Sequence, residues 1–174
     1  PDPTWLAVCT TITGLYQKPG FGSGLDSELL NGHRVELLQT EESWAFVRQE
    51  DGYLGWVYRS YLAEPPDNPP THLVYEPVAE LHLAPDAAAP LTSRVLGGTA
   101  VATNEELNGW VCLNLVGELI GWLPNHALRP LPLRRLSEPQ LRQRLVTDAH
   151  TFTGVPYLWG GSSASGLDCS RFAH

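Results

Sequence analysis

The feature that most limits how this chain can fold is a repeat with a fixed offset. Trp44 in ESWAFV and Trp110 in NGWVCL stand 66 residues apart, and Trp56 in LGWVYRSYL and Trp122 in IGWLPNHAL are separated by the same 66. SELLNGHRV, from Ser27 to Val35, lies over SRVLGGTAV, from Ser93 to Val101, at this shift, as do Pro19 over Pro85 and Leu62 over Leu128. A register held without a gap from Pro19 to Leu62 marks a tandem duplication, so one small unit must fold twice.

Each unit reads as all-β. HRVELLQ alternates, with Val35 and Leu37 on one face, and WAFV sets Trp44 and Phe46 on one face. A core of this size makes one Trp in each unit a structural anchor. EDGY, Glu50 to Tyr53, predicts a hairpin turn of type I′, because Asp-Gly supplies positive φ angles; VGEL, Val116 to Leu119, takes its place in the second unit. Gly55 and Gly121, each just before the second Trp, predict close approach of neighbouring backbone. Cys9 and Cys112 fall in apolar strands and read as inert core residues.

AEPPDNPPT, from Ala63 to Thr71, is a stiff Pro-rich linker between the units. After the second unit, SEPQLRQRLVTDAHTF carries a capping-box spacing at Ser137 and Gln140, with Pro139 acceptable in a first turn. Leu141, Leu145, Val146, Ala149 and Phe152 form an apolar stripe, so a helix is expected from Glu138 to Phe152, ended by Gly154 and Pro156. GGSSASG then reads as a loop. Asp168 is a good N-cap, which puts Cys169 in the first turn of a helix, where free N–H groups and the helix dipole favour a thiolate. The same N–H groups suit an oxyanion formed when a thiolate attacks an amide carbonyl.

Charge and composition exclude other classes. With 11 Lys and Arg against 19 Asp and Glu, the net charge of −8 repels phosphate backbones, and no nucleic-acid partner is expected. Arg129, Arg134, Arg135, Arg142 and Arg144, the only basic concentration, read as a solvated face. No stretch is long enough to cross a bilayer, so no membrane segment is expected. WLAVCTTI, from Trp5 to Ile12, lacks the basic flank of a signal peptide and reads as a strand. The chain starts at Pro1 and contains no methionine, which leaves its native start and its compartment open. The histidines are scattered and never at zinc-ligand spacing with a cysteine, so no metal and no cofactor are expected.

The order strand, long loop, S-x-x-L-x-G, strand, Trp, turn, G-W, short helical turn, Leu resembles bacterial SH3-like domains, over Leu6 to Leu62 and Leu73 to Pro130. Residues 154–170 resemble the start of the NlpC/p60-type cell-wall cysteine peptidases, a papain-like family. Gly154, Pro156, Tyr157, Trp159, Gly160, Gly161, Gly166, Asp168, Cys169 and Ser170 carry that likeness. The expected fold class is therefore mainly β: two tandem SH3-like β-barrels, then a helix and the N-terminal stub of a papain-like α+β domain. The expected domains are residues 1–63 and 72–130 for the barrels, 64–71 for the linker, and 131–174 for the connector helix and peptidase start.

The resemblance implies a γ-D-glutamyl-L-diamino acid endopeptidase acting on a murein peptide with a free N-terminal L-Ala-γ-D-Glu. Cys169 would be the nucleophile and Tyr157 an aid to the oxyanion, with Asp168 and Ser170 holding substrate. Relatives with two barrels bind the free ammonium through a tyrosine and an acid of the first barrel. Tyr53 fits the tyrosine, and Asp26, Glu28 and Asp51 are the candidate acids, Asp51 being adopted. Arg171 departs from the small residue usual in the family and is expected in solvent. Trp159, His150 and His174 are expected to be structural. The family's catalytic histidine lies well beyond the cysteine and is absent from this sequence. The chain alone is therefore expected to be inactive, with its last residues disordered, rearranged or docked on another chain. The alternatives are a tandem SH3-like module that binds cell-wall peptide and an amidase with the same thiol chemistry.

Overall fold

The computed structural model describes residues 3–132 and 136–173. His174 and the arginines at 134 and 135 lie outside the described residues. The first barrel is built from β1 (Thr4–Val8), β2 (Ile12–Tyr16), β3 (Leu25–Leu30), β4 (Arg34–Glu41), β5 (Trp44–Gln49), β6 (Leu54–Tyr58) and β7 (Leu62–Ala63). The second uses β8 (His72–Val74), β9 (Val78–His82), β10 (Leu91–Leu96), β11 (Ala100–Leu107), β12 (Trp110–Leu115), β13 (Leu119–Pro124) and β14 (Leu128–Pro130). The strand orders, β3-β2-β6-β5-β4-β1-β7 and β10-β9-β13-β12-β11-β8-β14, are the same path traced twice.

The duplication extends to the core. Val8, Leu15, Leu29, Val35, Ala45, Val47 and Val57 fill the first barrel, and each has a buried counterpart 66 residues on: Val74, Leu81, Val95, Val101, Val111, Leu113 and Leu123. No Trp belongs to either cluster, contrary to the expectation of a Trp anchor. In WAFV the inward pair is Ala45 and Val47, because a narrow barrel accepts small side chains, and Trp44 and Phe46 lie half-buried on the outer face. There Trp44 meets Tyr16, Phe21 and Tyr58 in a surface cluster, with centroids from 4.9 to 5.8 Å away. This cluster pins the β2–β3 loop. In the second barrel Ala87, Pro124 and Ala127 stand where Phe21, Tyr58 and Tyr61 would be. The equivalent loop is held there by the His82 ring against the Ala89 carbonyl at 2.9 Å.

The turns also differ from expectation. At EDGY only Gly52 has a positive φ, 94°, and its N–H closes on the Gln49 carbonyl at 3.0 Å, so this hairpin is not type I′. Two consecutive positive φ angles occur instead at Asn108-Gly109, 51° and 82°, between β11 and β12, and in VGEL at Gly117-Glu118, 95° and 66°, between β12 and β13. Gly55 and Gly121 do sit at close approaches. A Cβ on them would lie 2.6 Å from Leu15 Cγ and 2.8 Å from Leu81 Cβ.

The barrels meet through one buried side chain. Asn31, 4% exposed, donates from Nδ2 to the Val116 carbonyl at 2.9 Å and accepts the Val116 N–H on Oδ1 at 3.1 Å. Beside it Gly117 leaves no room for a Cβ, which would stand 2.7 Å from the Cys9 carbonyl oxygen. Cys9 is accordingly a half-buried junction residue rather than a core one, whereas Cys112 is buried as expected.

Helix α1 (Glu138–Thr151) starts at Ser137 with the expected reciprocal cap from Gln140. Most of its apolar stripe is uncovered: Leu141, Leu145 and Val146 are exposed, while Ala149 and Phe152 are half-buried. The helix is held to the second barrel by Asp148, which accepts from the Tyr75 hydroxyl at 2.8 Å and faces Arg129 at 3.6 Å. GGSSASG is not wholly loop, since β15 (Ser162–Ser163) and β16 (Gly166–Leu167) pair as a two-residue hairpin before α2 (Cys169–Ala173). This segment is seated on the first barrel of its own chain, through Ser162 and Arg171. Neither helix is long and apolar enough to cross a membrane among the described residues.

Candidate active site

Cys169 is a free, exposed thiol at the first position of α2. Asp168 holds that helix start. Its Oδ1 accepts the Arg171 N–H at 2.8 Å and the Ser170 hydroxyl at 2.7 Å, and its Oδ2 accepts the Gly160 N–H at 3.1 Å. These donors, the Arg171 amide first, keep its carboxyl below the usual carboxylate range. The cap therefore stabilises the fold above the unfolded pKa of Asp, and that contribution disappears as pH falls through the depressed folded value.

Tyr157 is brought next to this turn by a parallel bridge to Leu167, with Leu158 N–H donating to the Leu167 carbonyl at 3.1 Å. Its ring is 66% exposed. Trp159, expected to pack, is 68% exposed. His150 lies on α1 and is exposed, and among the described residues no hydrogen bond joins Cys169 to a histidine.

The first barrel supplies the opposite wall. Gly160, at φ 75°, presses on β3 so closely that a Cβ would stand 3.0 Å from the Leu25 carbonyl oxygen. Next to it Ser162 N–H donates to Glu28 Oε2 at 2.8 Å, and the Ser162 hydroxyl donates to the Glu28 carbonyl at 3.2 Å. Arg171, expected in solvent, points into this wall instead. Its Nη2 donates to Ser27 Oγ at 2.7 Å and faces Asp51 Oδ2 at 3.5 Å, and its guanidinium carbon stands 5.4 Å from the Tyr53 ring centroid. Asp51 Oδ1 also accepts the Tyr53 N–H at 3.2 Å, which shapes the hairpin tip. The structure thus gathers Tyr157, Asp168, Cys169 and Ser170 on one segment and sets Asp51 and Tyr53 beside it through Arg171. Asp26 is turned to Gln17 Nε2 at 2.7 Å. Sequence reasoning missed Ser27 and Ser162 as parts of this wall, and neither carries a local signal. Gly160 and Arg171 stood out only as a match to the family pattern and a departure from it.

A cavity of about 620 Å³ borders this wall, lined by Leu30, His33, Phe152, Leu167, Arg171 and Phe172. His33 Nδ1 accepts the Leu30 N–H at 3.2 Å, which requires the neutral ring. Burial first, and then the Arg171 cation, hold its pKa below 6.5, with Glu50 and Asp51 opposing. The fold favours neutral His33, so stability is full above the unfolded pKa and declines as pH falls below it toward the lower folded value. Urea unfolding between about pH 7 and 5 is expected to show this decline in wild type and to lose part of it in His33→Gln. Equal slopes in the two proteins would refute it.

Residues 15–62 match the bacterial dipeptidyl-peptidase SH3 domain. The first barrel is similar to an SH3 domain of that kind. Over 175 residues the chain is 25% identical to "Dipeptidyl-peptidase 6" of Lysinibacillus sphaericus, covering 94% of this chain and 65% of that protein. It is 24% identical over 163 residues to a "Gamma-D-glutamyl-L-lysine dipeptidyl-peptidase" of Bacillus cereus, covering 86% and 49%. The chain therefore spans about half to two thirds of the length of these relatives. A crystal structure of a NlpC/P60 family protein from Bacillus cereus superposes with a TM-score of 0.80 at 19% identity, over 98% of this chain and 70% of that one. The two SH3-like barrels and the segment that follows them thus share the fold of that NlpC/P60 protein.

Proposed function

We propose that the chain serves a cell-wall cysteine peptidase that cuts the γ-D-glutamyl to diamino acid bond of murein peptides. The observation that carries this reading is an exposed Cys169 at a helix start capped by Asp168, on a segment seated against the first barrel. In this reading the Cys169 sulfur attacks the γ-amide carbonyl and the C–N bond breaks. The diamino acid leaves with a proton on its amine, and water then releases the acyl group from sulfur. N–H groups of the first turn of α2 and the Tyr157 hydroxyl face the developing oxyanion. Ser170 and Asp168 flank the glutamyl group, and Tyr53 and Asp51 border its amino-terminal side. Among the described residues no general base is hydrogen-bonded to Cys169, and this chain alone is proposed to be inactive.

Two measurements test this. An L-Ala-γ-D-Glu chloromethyl ketone is expected to alkylate Cys169 ahead of Cys9 and Cys112, with protection by excess L-Ala-γ-D-Glu. Alkylation at Cys169 that the peptide does not slow would overturn the substrate assignment. Incubation with L-Ala-γ-D-Glu-diaminopimelate is expected to release no dipeptide, and release that vanishes in Cys169→Ala would overturn the proposed inactivity.

A further inference from the structure

The duplication repeats a way of docking as well as a fold. β3 and β10 each end a sheet, so one side of each strand has no strand to pair with. On β3 the free carbonyl of Glu28 accepts the Ser162 hydroxyl at 3.2 Å. On β10 the carbonyl 66 residues on, that of Arg94, accepts the Thr11 hydroxyl at 3.3 Å. The neighbouring turn supplies a second landing point in both barrels. In the first barrel Arg171 donates to Ser27 Oγ at 2.7 Å and faces the turn at Asp51. In the second, Asn31 grips Val116, the counterpart of Glu50, and Cys9 lies against Gly117, the counterpart of Asp51. The two visitors are unlike each other. One is a small hairpin with a short helix, and the other is a pair of loops from a barrel. What they share is where they land, so the landing points belong to the face. The copies differ in charge: Glu28 and Asp51 receive the Ser162 N–H and Arg171, whereas Arg94 and Gly117 hold those positions where the neutral Asn31 amide arrives. An arginine sent to the second dock would meet Arg94, which keeps the visitors from exchanging places.

We propose that the edge of β3 or β10, with its adjoining turn, is the docking face of the repeat, and that its partner is another folded part of the same chain. The second barrel's copy holds the first barrel, and the first barrel's copy holds the segment that carries Cys169. Ser162 is thereby a positioning residue for the thiol, as Thr11 is for the first barrel. This goes beyond the peptidase reading and does not depend on which bond the thiol attacks.

Residue-resolved amide exchange on the whole chain tests it, in wild type, Ser162→Ala, Ser162→Thr, Thr11→Val and Thr11→Ser. Protection at residue 162 is expected to fall about fivefold in Ser162→Ala and to stay within about twofold of wild type in Ser162→Thr. Protection at Val116 is expected to fall about fivefold in Thr11→Val and to stay within about twofold in Thr11→Ser. Each substitution is expected to leave the other dock, and the amides of β2 and β9, unchanged. Wild-type protection at residue 162 in Ser162→Ala, or at Val116 in Thr11→Val, would overturn the proposal. So would a Ser-Thr exchange that behaves like loss of the hydroxyl, or a loss of protection that spreads to both docks. Peptidoglycan solubilised by muramidase, added to wild type, is expected to leave both docks protected. Loss of protection at either would give this face to a wall polymer, overturning the proposal and leaving the peptidase reading in place.

Discussion

Asn31→Ala is expected to lower stability by about 2–4 kcal/mol and to uncouple the unfolding of the two barrels. The Asn31 amide acts as one rung of backbone pairing, giving and taking a hydrogen bond at Val116 across the junction. Alanine leaves a partly buried N–H and carbonyl without partners and opens a gap beside Gly117, whose backbone touches Cys9. Each unpaired group costs about 1–3 kcal/mol, which sets the size of the effect. The duplicated counterpart of Asn31 is Gly97, so the second barrel offers no substitute rung. Urea melts followed by Trp fluorescence should change from one transition in wild type to two in the variant. A single transition with an unchanged midpoint would show that the clamp does not hold the barrels together.

Gly160→Ala is expected to lift the segment bearing Cys169 off the first barrel. The residue has a φ of 75°, which costs an L side chain about 1–2 kcal/mol, and its Cβ would press on the backbone of Leu25 and Asp26 at 3.0 Å. Those atoms belong to a paired strand and cannot step aside as a side chain would. The segment moves instead, and with it go the Ser162 contacts to Glu28. Amide exchange at Ser162 should accelerate by about a hundredfold while the β-strand amides of both barrels keep their protection. Retained protection at Ser162 would mean that the docking tolerates a methyl group at this point.

Much of this fold was legible because duplication and capping are local or periodic signals. The 66-residue register pairs the two cores residue by residue, from Leu15 with Leu81 to Val57 with Leu123. Ser137 and Gln140 located the start of α1 within the chain itself. The Trp anchor expected from WAFV turns out to lie outside the core because both faces of β5 are apolar. Size favoured Trp44, where a narrow interior selects Ala45 and Val47. The candidate site was half legible. Asp168 and Cys169 announce a capped helix start from adjacent residues, but Arg171 reaches Asp51 across 120 positions of sequence. Nothing beside Arg171 in the chain indicates a carboxylate waiting there. Likewise, no pattern separates Glu28, which receives Ser162, from Asp26, which turns to its own loop.

The helix before the thiol is tethered to one barrel and the thiol's own helix to the other, through Asp148 and Arg171 respectively. The sulfur's position is therefore set by contacts to both barrels at once, and it depends on the junction at Asn31 that joins them.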